Sequence, residues 1–211
     1  MSVITIARQL GASGEAVANR LAASLGWRLL DRALVERIAE ELEVAPEQVE
    51  ACNERVEGFV ERLGSYLSEG FPEMMPMAMV PPLSPESTAR AARRIVAAVA
   101  DEGPAVIVGH GAMCILQRHP AVMHVLLHAP FATRVARAGD HFHLDEKAAA
   151  ERVRRSDADR RRYIREHFDR DWLDPTLYHL SVDTGTFGVE GAAELIQEAA
   201  GRMLGVLPQV R

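Results

Sequence analysis

The stretch that decides the fold is "ITIARQLGASGEAVANRLA", Ile4 to Ala22. It begins within a short β-branched apolar run, Val3–Ala7, of the kind that forms a strand buried on both faces of a parallel sheet. A glycine-bearing turn follows, "RQLGASGEA". Then "EAVANRLAASLG" spaces Val17, Leu21 and Leu25 along one helix face and ends in Gly26, a helix stop. At the carboxyl end of a strand such a turn can gather backbone N–H groups on an anion. Gly11 and Gly14 permit positive φ, and the helix N-terminus adds partial positive charge. The phosphate-loop pattern GxxxxGK[ST] also asks for a lysine and then a hydroxyl, and this turn has neither. On the turn alone, a tight strand–helix connection and an anion site both stay open.

Outward from this stretch, strands and helices alternate. "WRLLD" reads as a second strand ending in Asp31, and "ALVERIAEEL" as an amphipathic helix; Pro46 begins another that runs to about Arg62. Residues 64–86 hold five prolines and four methionines, which exclude a regular element. That Met-rich loop has three uses open to it: packing over the core, covering a homodimer partner, or touching substrate. Helical spacing resumes over Ser87–Ala100, Ala105–Val108 is a third strand, "AVMHVLLHAP" a fourth, and Phe131–Ala138 begins a helix. Residues 144–166 form a long arginine-dense helix, "LYHLSVDT" a fifth strand, and Val189–Met203 a terminal helix. The alternation predicts an α/β fold, a parallel sheet covered on both faces.

The chain has 211 residues, 48% of them hydrophobic, enough for one domain over 1–211 with a sizeable core. A net charge of -6 argues against nucleic-acid or anionic-membrane binding. No run approaches the roughly 18 apolar residues of a membrane span, and "MSVITIARQ" lacks the features of a signal peptide, so a cytoplasmic protein is expected. Cys52 and Cys114 stand far apart with no CxxC spacing and read as buried thiols. "HFH", His141 and His143, lacks a third ligand at metal spacing, so no metal site is expected there. Of the 24 Lys and Arg residues only Lys147 is lysine. Every other cationic contact to an anion must therefore come from arginine, with its planar, bidentate fork.

Three ordered segments carry a family resemblance. "ITIARQLGASGEAVANRLAASLGWRLLDRALVERIA" is similar to the opening of the cytidylate kinase-like family, relatives of the (d)CMP kinases. "VIVGHGA" resembles that family's VIVGRGA, and "SDADRRRYIREHFDRDWLDPTLYHLSVDT" its lid and closing strand; residues 45–100 match poorly. The resemblance implies a P-loop NTPase-like three-layer αβα fold with a five-stranded parallel sheet and an Arg-rich helical lid over about 144–175. About 45–100 would be the acceptor-side insert. It also implies ATP and Mg²⁺ as cofactors and a small nucleotide substrate, most readily (d)CMP.

Carried over by residue, ATP would lie on Arg8, Gly11, Ala12, Ser13, Gly14, Glu15 and Ala16. Gly14 falls on the lysine position and Ala16 on the Mg²⁺-binding hydroxyl. Ser13 stands where the family commonly has glycine, and Glu15 where it often has arginine. Arg8, at the mouth of the loop, is the candidate replacement cation. Asp31, Arg37 and His110 match acceptor-side positions, with Arg37 as the acceptor-phosphate clamp. His110 can hydrogen-bond a phosphate or base, and a neutral packing role is equally open. Eight arginines lie between Arg152 and Arg170. Arg154, Asp157 and Arg161 recur among them at helical spacing and join Arg8 as candidate catalytic residues, because phosphoryl transfer needs cations on the equatorial oxygens. Two other functions stay open: an anion-binding module of the same fold without turnover, and a kinase for another small metabolite.

Overall fold

The computed structural model describes residues 2–44, 46 and 85–206. The helix expected from Pro46 and the Met-rich loop therefore lie, apart from Pro46 and the first residues of the following helix, outside the described residues. The elements run β1 (Val3–Arg8), α1 (Gly14–Leu25), β2 (Arg28–Leu30), α2 (Arg32–Leu42), α3 (Pro85–Glu102) and β3 (Ala105–Val108). They continue with α4 (Ala112–Ile115), β4 (Val122–His128), α5 (Phe131–Phe142), α6 (Glu146–Phe168), a 3₁₀ turn (Pro175–Leu177), β5 (Leu180–Asp183) and α7 (Thr184–Leu204). The five strands form one sheet in the order β2-β3-β1-β4-β5, and every pairing is parallel.

The alternation of side chains along the central strands builds two cores. On one face Val3, Ala105, Ile107 and Val122 pack with α2, α3 and α4. On the other Ile4, Ile6, Val106, Val108, Met123, Val125 and Leu127 pack with α1 and α7. Helices on both faces of a parallel sheet make the three layers that the sequence predicts. Two polar side chains lie within the first face, Thr5 and His124, and satisfy each other at 2.7 Å.

The long helix α6 starts at Asp145, whose carboxylate accepts from the Ala148 N–H at 2.8 Å. It is held at both ends. Ala149 and Val153 pack on Val135 and Ala138 of α5, while Ile164 packs with Met113 and Trp172. The terminal helix starts five residues earlier than the sequence spacing suggests, at Thr184. Gly188, at φ 65° and ψ -169°, kinks it there, and that break hides the first turn from a periodicity reading. Cys114 is half-buried, and burial pushes its thiol up to about 11. No helix among the described residues is long and apolar enough to cross a membrane.

Candidate active site

All five strands point their carboxyl ends the same way, so the segments that follow them meet. These are Gln9–Ser13 after β1, Asp31 after β2, Gly109–Gly111 after β3, Ala129–Pro130 after β4, and Thr184 after β5. In such sheets this is where ligands bind.

The turn after β1 is tightened by the Ala12 N–H donating to the Gln9 carbonyl at 3.1 Å. Gly11 takes φ 78°, and a Cβ there would lie 2.5 Å from the Arg134 carbonyl oxygen, so no larger residue fits between loop and α5. Ser13 also takes a left-handed conformation, φ 54° and ψ 32°, and its hydroxyl caps nothing. A β-carbon in this conformation is strained, so glycine would sit here at lower cost. The first helical bond runs from the Val17 N–H to the Ser13 carbonyl at 3.1 Å. The N–H groups of Gly14, Glu15 and Ala16 are therefore left for an anion.

Arg8 crosses the mouth of this loop. Its stem runs over Gly14, where a Cβ would come within 2.6 Å of the Arg8 Cγ. Its guanidinium rests on Gly109, where a Cβ would meet Nη1 at 2.3 Å, and lies 3.7 Å from Asp31. The Arg8 stem thus occupies the space that a side chain at residue 14 would need. Burial raises the Asp31 carboxyl above its ordinary value against the opposing pull of Arg8, and Glu15 adds to the rise. His110 joins the same group. It sits at φ 52° between Gly109 at φ 78° and Gly111 at φ 70°, three successive left-handed residues that hold the turn away from β3. Burial and the neighbouring Arg8 lower its imidazole to about 4, so it is neutral near pH 7. The other side of this turn is fixed by Phe168 at the end of α6, whose ring lies 2.5 Å from where a Gly111 Cβ would be.

The structure therefore brings Arg8, the loop residues 11–16, Asp31 and His110 together. It does not bring Arg37. That side chain pairs with Glu102 at 3.1 Å, together with Arg28 at 2.9 Å, at the amino-terminal edge of the sheet where Arg28 lies level with Ala105. The two arginines hold the Glu102 carboxyl below its usual range. Helix α2 runs down from Asp31 and carries Arg37 away from the loop, which a spacing argument does not reveal.

On α6, Asp157 accepts both guanidinium nitrogens of Arg134, at 3.0 and 2.9 Å, and Arg134 is itself buried. Arg154 stands 4.9 Å over the exposed ring of Phe131, and Arg161 is exposed further along the helix. Sequence reasoning passed over Arg134, Arg137 and Thr184. Arg137 donates to the Gly11 carbonyl at 3.2 Å and to both oxygens of Thr184, at 3.2 and 3.0 Å. "TRVAR" shows the two arginines as an i, i+3 pair early in the helix after β4, but no local signal points either them or Thr184 at the loop.

A strand, an anion-directed loop and a helix on a three-layer parallel sheet define a P-loop NTPase-like fold. The structural comparisons agree on the fold. An uncharacterized protein from Eubacterium ventriosum superimposes with a TM-score of 0.67 at 19% identity, covering 95% of this chain and 98% of that one. Shikimate kinase from Bacteroides thetaiotaomicron superimposes at 0.51 with 14% identity, covering 94% of this chain and 97% of that one. The model of the cytidylate kinase-like family matches residues 3–186, and the chain belongs to that family. A cytidylate kinase of Aeropyrum pernix is 38% identical over 105 residues, 49% of this chain and 60% of that protein's length.

Proposed function

We propose that this protein transfers the γ-phosphoryl group of ATP to a small phosphorylated acceptor, a nucleoside monophosphate such as CMP or dCMP. The observation that carries the proposal is the course of Arg8, which lies over Gly14 and puts its guanidinium against Gly109, within 3.7 Å of Asp31. A cation whose stem lies over the start of α1 and whose head lies beside Asp31 and His110 stands between the loop and the acceptor side, where it could touch both donor and acceptor. Family membership and the Aeropyrum pernix relative support the reaction class and the choice of cytidylate. An acceptor phosphate oxygen forms the new P–O bond as the bond to ADP breaks; the acceptor is already a nucleophile, and positioning and charge do the rest. Arg154 and Arg161 on α6 are the cations that a closing helix would add, while Asp157 holds Arg134 beside the loop. The Asp31 and Glu15 carboxylates, which lie close enough to act on each other, and the uncommitted Ser13 hydroxyl are oxygen donors at the mouth of the loop that would suit a Mg²⁺ held mainly by the nucleotide's own phosphates.

Calorimetric titration of ATP with Mg²⁺ tests the role of Arg8. A charge-assisted contact is worth about 1.5–3 kcal/mol, so Arg8→Ala should weaken ATP by roughly tenfold to a hundredfold. Lys147→Ala, on the exposed start of α6, should leave it unchanged. Equal affinities for the Arg8 variant and the parent would remove Arg8 from the site. A second reading is an anion-binding module with little turnover, favoured by Gly14 and Ala16 in place of lysine and hydroxyl. The position of Arg37 at the far edge of the sheet favours a third, an acceptor other than a nucleoside monophosphate.

A further inference from the structure

Three consecutive carbonyls of the loop are each met from behind by a side-chain donor. Arg134 Nη1 reaches the Leu10 oxygen at 3.5 Å, Arg137 Nη1 the Gly11 oxygen at 3.2 Å, and Thr184 Oγ1 the Ala12 oxygen at 3.0 Å. A trans peptide points its C=O and the following N–H in opposite directions. Arg134 at the Leu10 carbonyl therefore sets the Gly11 N–H, Arg137 at the Gly11 carbonyl the Ala12 N–H, and Thr184 at the Ala12 carbonyl the Ser13 N–H. That of Ala12 is used within the turn, on the Gln9 carbonyl. Gly11 and Ser13 then face the same side as the open first turn of α1.

The two arginines behind the loop differ in charge balance. Arg134 is neutralised by its bidentate pair with Asp157. Arg137 is half-buried, and every acceptor it meets among the described residues is neutral: the Gly11 carbonyl, the Thr184 hydroxyl and the Thr184 carbonyl. A guanidinium partly removed from water without a counter-charge is costly, and an anion nearby relieves that cost. Thr184 is fully buried, and its hydroxyl also lies 3.2 Å from the His128 carbonyl, so the seat of Arg137 is built into the end of the sheet.

We infer that Arg137, seated on Thr184, is the positioning residue of the loop. It holds the Gly11 carbonyl, and with it the Ala12 N–H that closes the turn on Gln9, and braces Thr184, whose hydroxyl on the Ala12 carbonyl aims the Ser13 N–H; it also supplies from behind the positive charge that a lysine at residue 14 would supply from the front. The inference rests on the reading of this loop as a polyphosphate site. Arg8 touches the phosphates directly; Arg137 acts through the loop backbone.

The test is calorimetric binding of ATP, ADP and AMP with Mg²⁺ to the full chain and to Arg137→Gln and Arg137→Lys, with circular dichroism to check folding. Glutamine drops the charge and keeps an amide donor on a shorter side chain. Arg137→Gln should weaken ATP roughly tenfold or more, ADP less, and AMP within about twofold, with a shallower dependence of ATP affinity on salt. Arg137→Lys restores the charge and should hold ATP within about threefold of the parent. Parental binding by Arg137→Gln overturns the inference, and so does an equal loss for all three nucleotides, which marks a purely structural role. Should Arg137→Gln fail to fold, a tenfold loss of ATP in folded Arg137→Lys overturns it instead. A parent chain that binds neither ATP nor inorganic tripolyphosphate removes the loop reading itself, a result distinct from a parent that binds and a variant that binds equally.

Discussion

His124 gives this fold a dependence on mild acid that can be worked out in advance. The side chain is only 3% exposed, its Nδ1 is 2.7 Å from Thr5 Oγ1, and its ring stacks on that of His179 at 5.1 Å. Burial, with His179 beside it, lowers its imidazole from 6.5 to about 4. The folded chain thus holds His124 neutral where the unfolded chain protonates it. Its contribution is fully present above 6.5 and is lost as pH falls toward 4. At about 1.4 kcal/mol per unit, the loss between pH 7.5 and pH 5 is about 2 kcal/mol. Glu102, Asp174 and Asp183 have depressed carboxyl values, so their contributions begin to fall only as pH drops into the ordinary carboxylate range and go on falling below it. His110 adds a loss of the same sign, and the raised Asp31 acts in the opposite sense; both are common to parent and variant. The assay is guanidinium unfolding at pH 7.5, 6 and 5 for the parent and His124→Gln. The variant is less stable at pH 7.5 by about 1–3 kcal/mol, because Thr5 loses its partner in a packed interior. The gap between the two proteins should narrow by about 2 kcal/mol on going to pH 5. Parallel loss in the two proteins would refute the reasoning.

Three local substitutions have expected outcomes of their own. Ser13→Gly relieves a left-handed serine whose hydroxyl caps nothing, and should raise unfolding free energy by about 0.5–1 kcal/mol in denaturant titration. Gly109→Ala places a β-carbon at φ 78° against the Arg8 guanidinium; it should cost about 1–2 kcal/mol and weaken ATP in the same direction as Arg8→Ala. Arg37→Ala should change stability by less than about 1 kcal/mol and leave acceptor KM unaltered, because its exposed pair with Glu102 lies at the amino-terminal end of the strands, opposite the loop.

The sequence was most informative where a pattern is local. The β-branched run at Val3–Ala7, the glycine after α1 and the strand ended by Pro130 all follow from short-range rules, and the sheet follows from their alternation. The tight turn after β1 was readable too, since it needs glycine where Gly11 takes φ 78° and where the Arg8 stem crosses Gly14. What spacing could not supply was direction in space. Arg37 matches an acceptor-side position by count, yet its helix leads it to Glu102. Asp157 and Arg161 share a helical spacing, but Asp157 is engaged by the buried Arg134 and Arg161 faces solvent. Arg134, Arg137 and Thr184 were invisible because their significance depends on the end of β4 and the end of β5 lying beside the loop of β1. That neighbourhood is fixed by the strand order β1-β4-β5, which no local pattern encodes.

The central claim is phosphoryl transfer without a loop lysine, and labelled phosphate tests it most directly. ATP carrying a labelled γ-phosphate would be incubated with the full chain, Mg²⁺ and a panel of nucleoside monophosphates. Label should appear on CMP or dCMP and be lost in Arg8→Ala; tight ATP binding with no label on any member of the panel would show that the site does not carry out this transfer.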